Sequence, residues 1–328
     1  MKILMIALHY HGYTEAIADE LRALGHEVRL HDLQPRTLPM KVLRVAAPRL
    51  WQSRLDKHHA SILRLERDYD ADLVLFIQAH QISDANLIKL RADNPKARFA
   101  LYNWDSIANH DYLDRAHYFD TVQTFDPIDA AEHGFLYLPL FASRRFQNVP
   151  NKVTDPRSVY FVGNIVNPKR YVALDAFRQF SADHGIVFEP YMACTPLVRR
   201  WLAKEKISPV GLSSGSIDTG EFRRMLETSN AVFDFANHSQ TGYTMRIFEN
   251  LCAGKKIITN NRRIESEPFY SSDRILVLPE DGNFSEVPGF LDNDLQHPEE
   301  TFPDYTIQVF AAHLANGTGH ANPGVGGT

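Results

Sequence analysis

From Lys2 to Asn261, short apolar runs alternate with stretches of helical length. The runs are Lys2–Leu8, His26–His31, Leu73–Ile77, Arg98–Tyr102, Thr121–Thr124, Val159–Val162, Val187–Tyr191, Ala231–Phe235 and the segment around Ile257-Ile258. Between them lie helical patterns such as Glu15–Leu24, Asp84–Ala92, Tyr171–His184, Thr195–Lys204 and Glu221–Glu227. Strands separated by helices cannot pair as hairpins, so the sheet they form is parallel and covered by helices on its faces. The expected fold class is α/β and doubly wound. In such sheets ligands lie beyond the carboxyl ends of the strands. Polar residues stand there: His9, His11 and Gly12, then His80, then Asp105, then Asp126. Each also fits an ordinary turn, and Asp105 fits a helix cap beside a core Trp104.

The chain of 328 residues suggests two such domains. The expected division is 1–146, a linker rich in Asn, Pro and Lys, then 157–285. A closing helix over about 304–316 would pack back on the first domain, and the Gly-rich tail 317–328 is expected to lack fixed structure. A hydrophobic fraction of 44% with 23% charged residues fits a soluble protein, and the net charge of −5 argues against nucleic acid as a partner. Two cysteines, Cys194 and Cys252, give neither a disulfide framework nor a metal site, as a reduced cytoplasm would allow. The apolar start breaks at His9-Tyr10-His11, so it reads as a first strand and not as a leader. Arg36–Arg67 holds eight basic residues against two acidic ones, interleaved with apolar side chains and Trp51. Either it is a solvated helical face or it docks on an anionic membrane, on the inner side of the inner membrane. Asp68-Tyr69-Asp70-Ala71-Asp72 precedes a strand instead of following one, which favours a turn over a metal motif. No metal or other cofactor is expected.

Thr241–Asn261 carries the most specific chemistry. Thr241 or Thr244 can cap a helix and Gly254 can end it. Met245, Phe248 and Cys252 share an apolar face, whereas Arg246, Glu249 and Ala253 share another. A helix N-terminus attracts phosphate, and an arginine in its first turn adds a permanently charged fork for pyrophosphate. Glu249, one turn deeper, can accept the two hydroxyls of a ribose. The alternative is an exposed Arg–Glu pair contributing a few tenths of a kcal/mol.

Phe233-Asp234-Phe235, the polar loop with Gly242, Arg246, Phe248-Glu249, Gly254-Lys255 and Ile257-Ile258-Thr259 resemble the donor segment of GT-B glycosyltransferases. The likeness is to CgeB-like and bacterial capsule, exopolysaccharide and lipopolysaccharide transferases, and it runs from about Val159 to Asn261. It implies two Rossmann-like domains facing a cleft, the second binding a nucleotide sugar, the first a lipid-linked or oligosaccharide acceptor. It implies donor contacts from Gly163, Asn164, Arg170, Thr241, Gly242, Tyr243, Thr244, Arg246 and Glu249. His9, Gly12, His80 and Asp126 would lie on the acceptor side, with Asp105 or His11 as catalytic base. Retaining members with paired glutamates carry the first of them eight positions before the second. Thr241 stands there, which implies direct displacement with inversion. A nucleotide-sugar epimerase of this fold and a non-catalytic sugar-nucleotide binder remain as alternatives.

Overall fold

The computed structural model describes the chain apart from His11, residues 236–240, 280–281 and 323–328, and the side chain of Lys41. The chain forms two compact units: Met1–Ser143 with Ser239–Gly242 and Asp304–Thr328, and Arg144–His238 with Tyr243–Pro303.

The first unit contains β1 (Lys2–Ala7), α1 (Tyr13–Ala23), β2 (Glu27–Asp32), α2 (Leu38–Ala46), α3 (Pro48–Leu65), β3 (Leu73–Ile77), α4 (Asp84–Asp93), β4 (Arg98–Asn103), α5 (Leu113–Ala116), β5 (Thr121–Thr124), α6 (Pro127–His133) and β6 (Leu136–Tyr137). Its six strands are parallel in the order β2-β1-β3-β4-β5-β6. All five residues of β3 are buried, because helices cover both sheet faces. One core layer gathers Leu4, Val74, Phe76, Phe99 and Leu101 with Ile62 and Leu63 of α3. The basic stretch is therefore two helices, and α3 lends part of itself to the core. The strand order reverses between β1 and β3, the point where crevices open in such sheets.

The second unit contains β7 (Ser158–Ile165), α7 (Pro168–Asp183), β8 (Val187–Cys194), α8 (Pro196–Lys204), β9 (Leu212–Ser213), α9 (Thr219–Thr228), β10 (Ala231–Asp234), α10 (Met245–Cys252), β11 (Lys256–Thr259), β12 (Ile275–Val277) and α11 (Val287–Asp292). It too is a six-stranded parallel sheet, in the order β12-β11-β10-β7-β8-β9. Here the order reverses between β7 and β10. The aromatic core stacks Phe177 on Phe233, with Phe188 and Phe284 at their edges. The strand expected over Val159–Val162 runs on through Gly163 and Asn164, which lie inside β7 opposite Met192 and Ala193. A short strand, β9, precedes α9.

The final helix, α12 (Ile307–Asn316), belongs to the first unit. Its Phe310 packs on Tyr102 and Phe141. Beyond it the described residues are held in place: Gly317 ends the helix at φ 67°, His320 N–H donates to the Tyr137 carbonyl, and the Asn322 amide donates to the Pro127 carbonyl. The expected lack of structure from Gly317 onward therefore does not apply to residues 317–322, because these backbone and side-chain donors find acceptors on β6 and α6.

His59 of α3 is 1% exposed, and its Nε2–H donates to the Leu33 carbonyl at 2.7 Å. Its Nδ1 is buried without a partner, so a second proton would have none either. Burial, with a smaller push from His58, lowers its pKa from 6.5 to about 4. The folded form thus resists a proton that the unfolded chain accepts. Stability should be complete above pH 6.5 and fall as pH drops toward 4. Between pH 7 and 5 the wild type should lose about 2 kcal/mol more than His59→Gln, measured by urea unfolding. Equal losses would contradict this.

Candidate functional site

The carboxyl ends of β7 and β10 flank the switch point of the second unit, and a charged cluster has formed there. β10 ends in Asp234, 1% exposed. Arg246 of α10 pairs with the Asp234 carboxylate through Nη1, and the Thr244 hydroxyl donates to the same oxygen at 3.1 Å. Thr244 occupies the N-cap position of α10, but its hydroxyl does not cap the helix, because Asp234 takes it. The sequence alternative of an exposed Arg246–Glu249 pair is not realised. Glu249 is buried and its Oε1 lies 4.0 Å from the Arg145 guanidinium.

Arg170, in the first turn of α7, completes the cluster. Its guanidinium lies over the Phe161 ring at 5.4 Å, and that of Arg246 lies over the same ring at 5.3 Å. Among the described residues no carboxylate forms an ion pair with Arg170, and its Nε is buried without a hydrogen-bond partner. Burial, and then the neighbouring Arg246, pull its pKa down from 12.5 to about 10. Two half-buried guanidiniums thus lie close together with one carboxylate, which pairs with Arg246 alone, and this excess of positive charge favours an added anion. Gly163 makes the approach possible. A Cβ there would lie 2.9 Å from the tip of the Phe161 ring and 3.1 Å from Nη2 of Arg246. The glycine is needed for space, since its φ is not positive.

A buried chain of hydrogen bonds fixes α10 against β7. The Tyr160 hydroxyl donates to Asn250 at 2.8 Å, and the Asn250 amide donates to the Arg246 carbonyl at 2.9 Å. Burial raises the Tyr160 pKa, so its hydroxyl stays protonated as the donor. Behind the helix, buried Lys256 donates to the carbonyls of Phe290 and Asn293 at the end of α11. Nothing in the periodicity of the sequence pointed to Phe161, Asn250 or Tyr160. The acid in Phe233-Asp234-Phe235 was a usable signal, because a carboxylate closing an apolar strand needs a cation.

Of the other residues expected at the donor, Asn164 is exposed on β7. Tyr243 is 2% exposed and meets Phe248 and Phe269 edge-on, so its ring is core. Thr241 and Gly242 belong to the first unit. There the Thr241 hydroxyl and the backbone N–H groups of Thr241 and Gly242 donate to Asp126. Asp126 also caps α6 by accepting from the N–H groups of Ile128 and Asp129. With five donors on one buried carboxylate, Asp126 is a clamp and not a surface for an acceptor. Gly242 lies against Phe125, where a Cβ would come within 2.4 Å of the ring.

Asp105 follows β4, and no described helix starts there for it to cap; α5 begins at Leu113. The Gln78 amide donates to Asp105 Oδ2 at 2.6 Å. Gln78 is 1% exposed and holds a left-handed backbone at φ 64°, an arrangement that costs of order 1 kcal/mol or more and clusters at functional positions. Trp104 touches Tyr10, 5.7 Å between ring centres. His80 stacks on His110 at 4.5 Å, and burial with the charges of His110 and Arg115 takes its pKa down to about 4. His80 is thus neutral near pH 7. His9 Nδ1 lies 2.8 Å from Glu15 Oε1, and Gly12 begins α1 at φ 79°, a conformation that favours glycine. His11 lies outside the described residues. Asp72 accepts the Lys2 N–H at 2.7 Å, so the acidic turn before β3 ties down β1. Among the described residues no group of three or more His, Cys, Asp or Glu is placed to hold a metal ion.

No protein-family model matches the chain, and no curated protein does. Solved structures do match over nearly its whole length. The apo form of the lipopolysaccharide outer core galactosyltransferase WaaB is 13% identical over 97% of this chain and 99% of its own, with a TM-score of 0.61. The catalytic domain of starch synthase IV from Arabidopsis thaliana, bound to ADP and acarbose, is 9% identical over 97% and 98%, at 0.62. The UDP-GlcNAc 2-epimerase from Neisseria meningitidis, bound to UDP-GlcNAc, is 10% identical over 97% and 99%, at 0.55. At these identities the likeness shows the fold, which is GT-B.

Proposed function

We propose that the chain is a glycosyltransferase that takes a sugar from a nucleoside diphosphate donor. The observation that carries this reading is the pair Arg170–Arg246 over Phe161, two half-buried cations beside one buried carboxylate at the switch point of the second sheet. Such a pair suits a diphosphate, and Glu249, one helical turn from Arg246, suits the ribose. The acceptor is a saccharide or lipid-linked saccharide of a bacterial surface polysaccharide, in keeping with the resemblance in the donor segment and with the likeness to WaaB. Its hydroxyl oxygen attacks the anomeric carbon while the bond from that carbon to the phosphate oxygen breaks. The leaving diphosphate keeps the electron pair, and the two arginines stabilise the charge that develops there. The hydroxyl proton passes to Asp105, held by Gln78. Attack from the face opposite the leaving group inverts the anomeric centre.

A nucleotide-sugar epimerase would use the same diphosphate site, and the likeness to the Neisseria enzyme favours it as the second reading. Incubation with a panel of nucleotide sugars separates the two. Slow release of free nucleoside diphosphate with an unchanged residual donor is expected of the transferase. Conversion of the donor into its sugar epimer would replace that reading, and a panel bound but unaltered would leave only a binder.

A further inference from the structure

The basic stretch divides its labour between two helices, and α2 has an outer face that nothing in its own unit covers. Leu38 is 74% exposed, Val42 57% and Val45 81%. At about 100° per residue these three fall within roughly a 60° sector of the helix. Met40 points the other way and is 7% exposed, so it anchors α2 to the unit. Leu50, in the first turn of α3, adds another apolar side chain, 48% exposed. An apolar ridge of this kind, set on an anchored helix, marks an interaction surface.

Charge selects the partner. Between Asp32 and Asp56 there is no acidic residue, whereas Arg36, Lys41, Arg44, Arg49 and Arg54 all lie there. Arg36, Arg44, Arg49 and Arg54 are exposed, and among the described residues only Arg36 of these four pairs with an acid, Asp32 and, at 3.9 Å, Glu15. The whole chain carries a net charge of −5, so this face opposes the balance of the molecule. No described helix is long and apolar enough to cross a membrane. A short apolar ridge flanked by arginines, on a helix without acids, matches the boundary between headgroups and acyl chains.

We propose that α2 and the start of α3 dock on an anionic lipid bilayer, with Leu38, Val42 and Val45 entering the acyl boundary and the flanking arginines meeting the headgroup phosphates. This does not rest on the proposed activity. Sedimentation with vesicles of phosphatidylcholine alone and of phosphatidylcholine with phosphatidylglycerol tests it. The full chain should partition onto the anionic vesicles and not the neutral ones, and 0.5 M NaCl should release most of it. Arg44→Gln with Arg49→Gln should lower the partition coefficient roughly fivefold per charge removed. Val42→Glu with Val45→Glu should abolish binding while the melting temperature and the binding of a nucleoside diphosphate stay those of wild type. Equal recovery with both vesicle types would overturn the proposal. So would loss of a dimer, instead of loss of vesicle binding, in the Val42→Glu/Val45→Glu variant, since the ridge would then serve a second copy of the chain.

Discussion

Arg170→Ala is expected to weaken the binding of a nucleoside diphosphate by roughly ten- to a hundredfold, the effect of losing one charge-assisted contact in a partly desolvated site. The same change should leave the melting temperature unaltered or raise it. Arg170 is half-buried beside a like charge, its buried Nε has no hydrogen-bond partner among the described residues, and its pKa is already pulled down to about 10. Removing it relieves a desolvation penalty that no carboxylate of its own repays. Arg246→Ala should behave differently. It too loses a diphosphate contact, but it strands Asp234, 1% exposed, without its cation. A buried carboxylate left unpaired costs about 3–5 kcal/mol, so this variant should melt earlier as well as bind more weakly. Calorimetric titration and thermal melting of the two variants check the contrast. A loss of stability in Arg170→Ala as large as in Arg246→Ala would mean that Arg170 serves the fold and not an anion.

Asp105→Asn is expected to lower the rate of transfer by roughly 10²–10⁴-fold, the range in which a positioned general base contributes. The variant keeps the shape of the side chain and a hydrogen-bond acceptor for the Gln78 amide, which donates to Asp105 at 2.6 Å. Donor affinity and melting temperature should therefore stay close to wild type. The measurement is initial rate against acceptor concentration, together with diphosphate affinity. Near-normal transfer would remove Asp105 as the base and leave His11 as the next candidate. The left-handed backbone at Gln78 is consistent with a carboxylate that must be aimed, since a residue held at φ 64° persists only where its surroundings enforce it.

The sheets were legible because buried parallel strands read as continuous apolar runs: β3 and β10 are buried along their whole length. The ends were less legible. The apolar run stops at Val162, yet β7 continues through Gly163 and Asn164, and the glycine serves the close approach of Arg246. The donor helix was visible through Arg246 and Glu249, because helical periodicity places them on one face. Which residues they meet was not, since Phe161 and Arg145 come from other elements, and Asp234, though its acid at a strand end calls for a cation, is matched to Arg246 only by the tertiary fold. Asp126 shows the limit in the other direction. A carboxylate after a strand fits a catalytic role as well as a cap, and only the five donors gathered on it decide for the clamp. The amphipathic stretch from Arg36 likewise hid a break at Ala47-Pro48, after which α3 turns Leu55, Ile62 and Leu63 into the core.

The central claim is that the second unit holds a diphosphate between Arg170 and Arg246. Calorimetric titration of the full chain with nucleoside diphosphates and their matched nucleosides tests it most directly. At least one diphosphate should bind, more tightly than its nucleoside by a hundredfold or more, with an affinity that falls in Arg170→Ala toward that of the nucleoside. Binding of a nucleoside as tightly as of its diphosphate, or binding of no diphosphate at all, would contradict it.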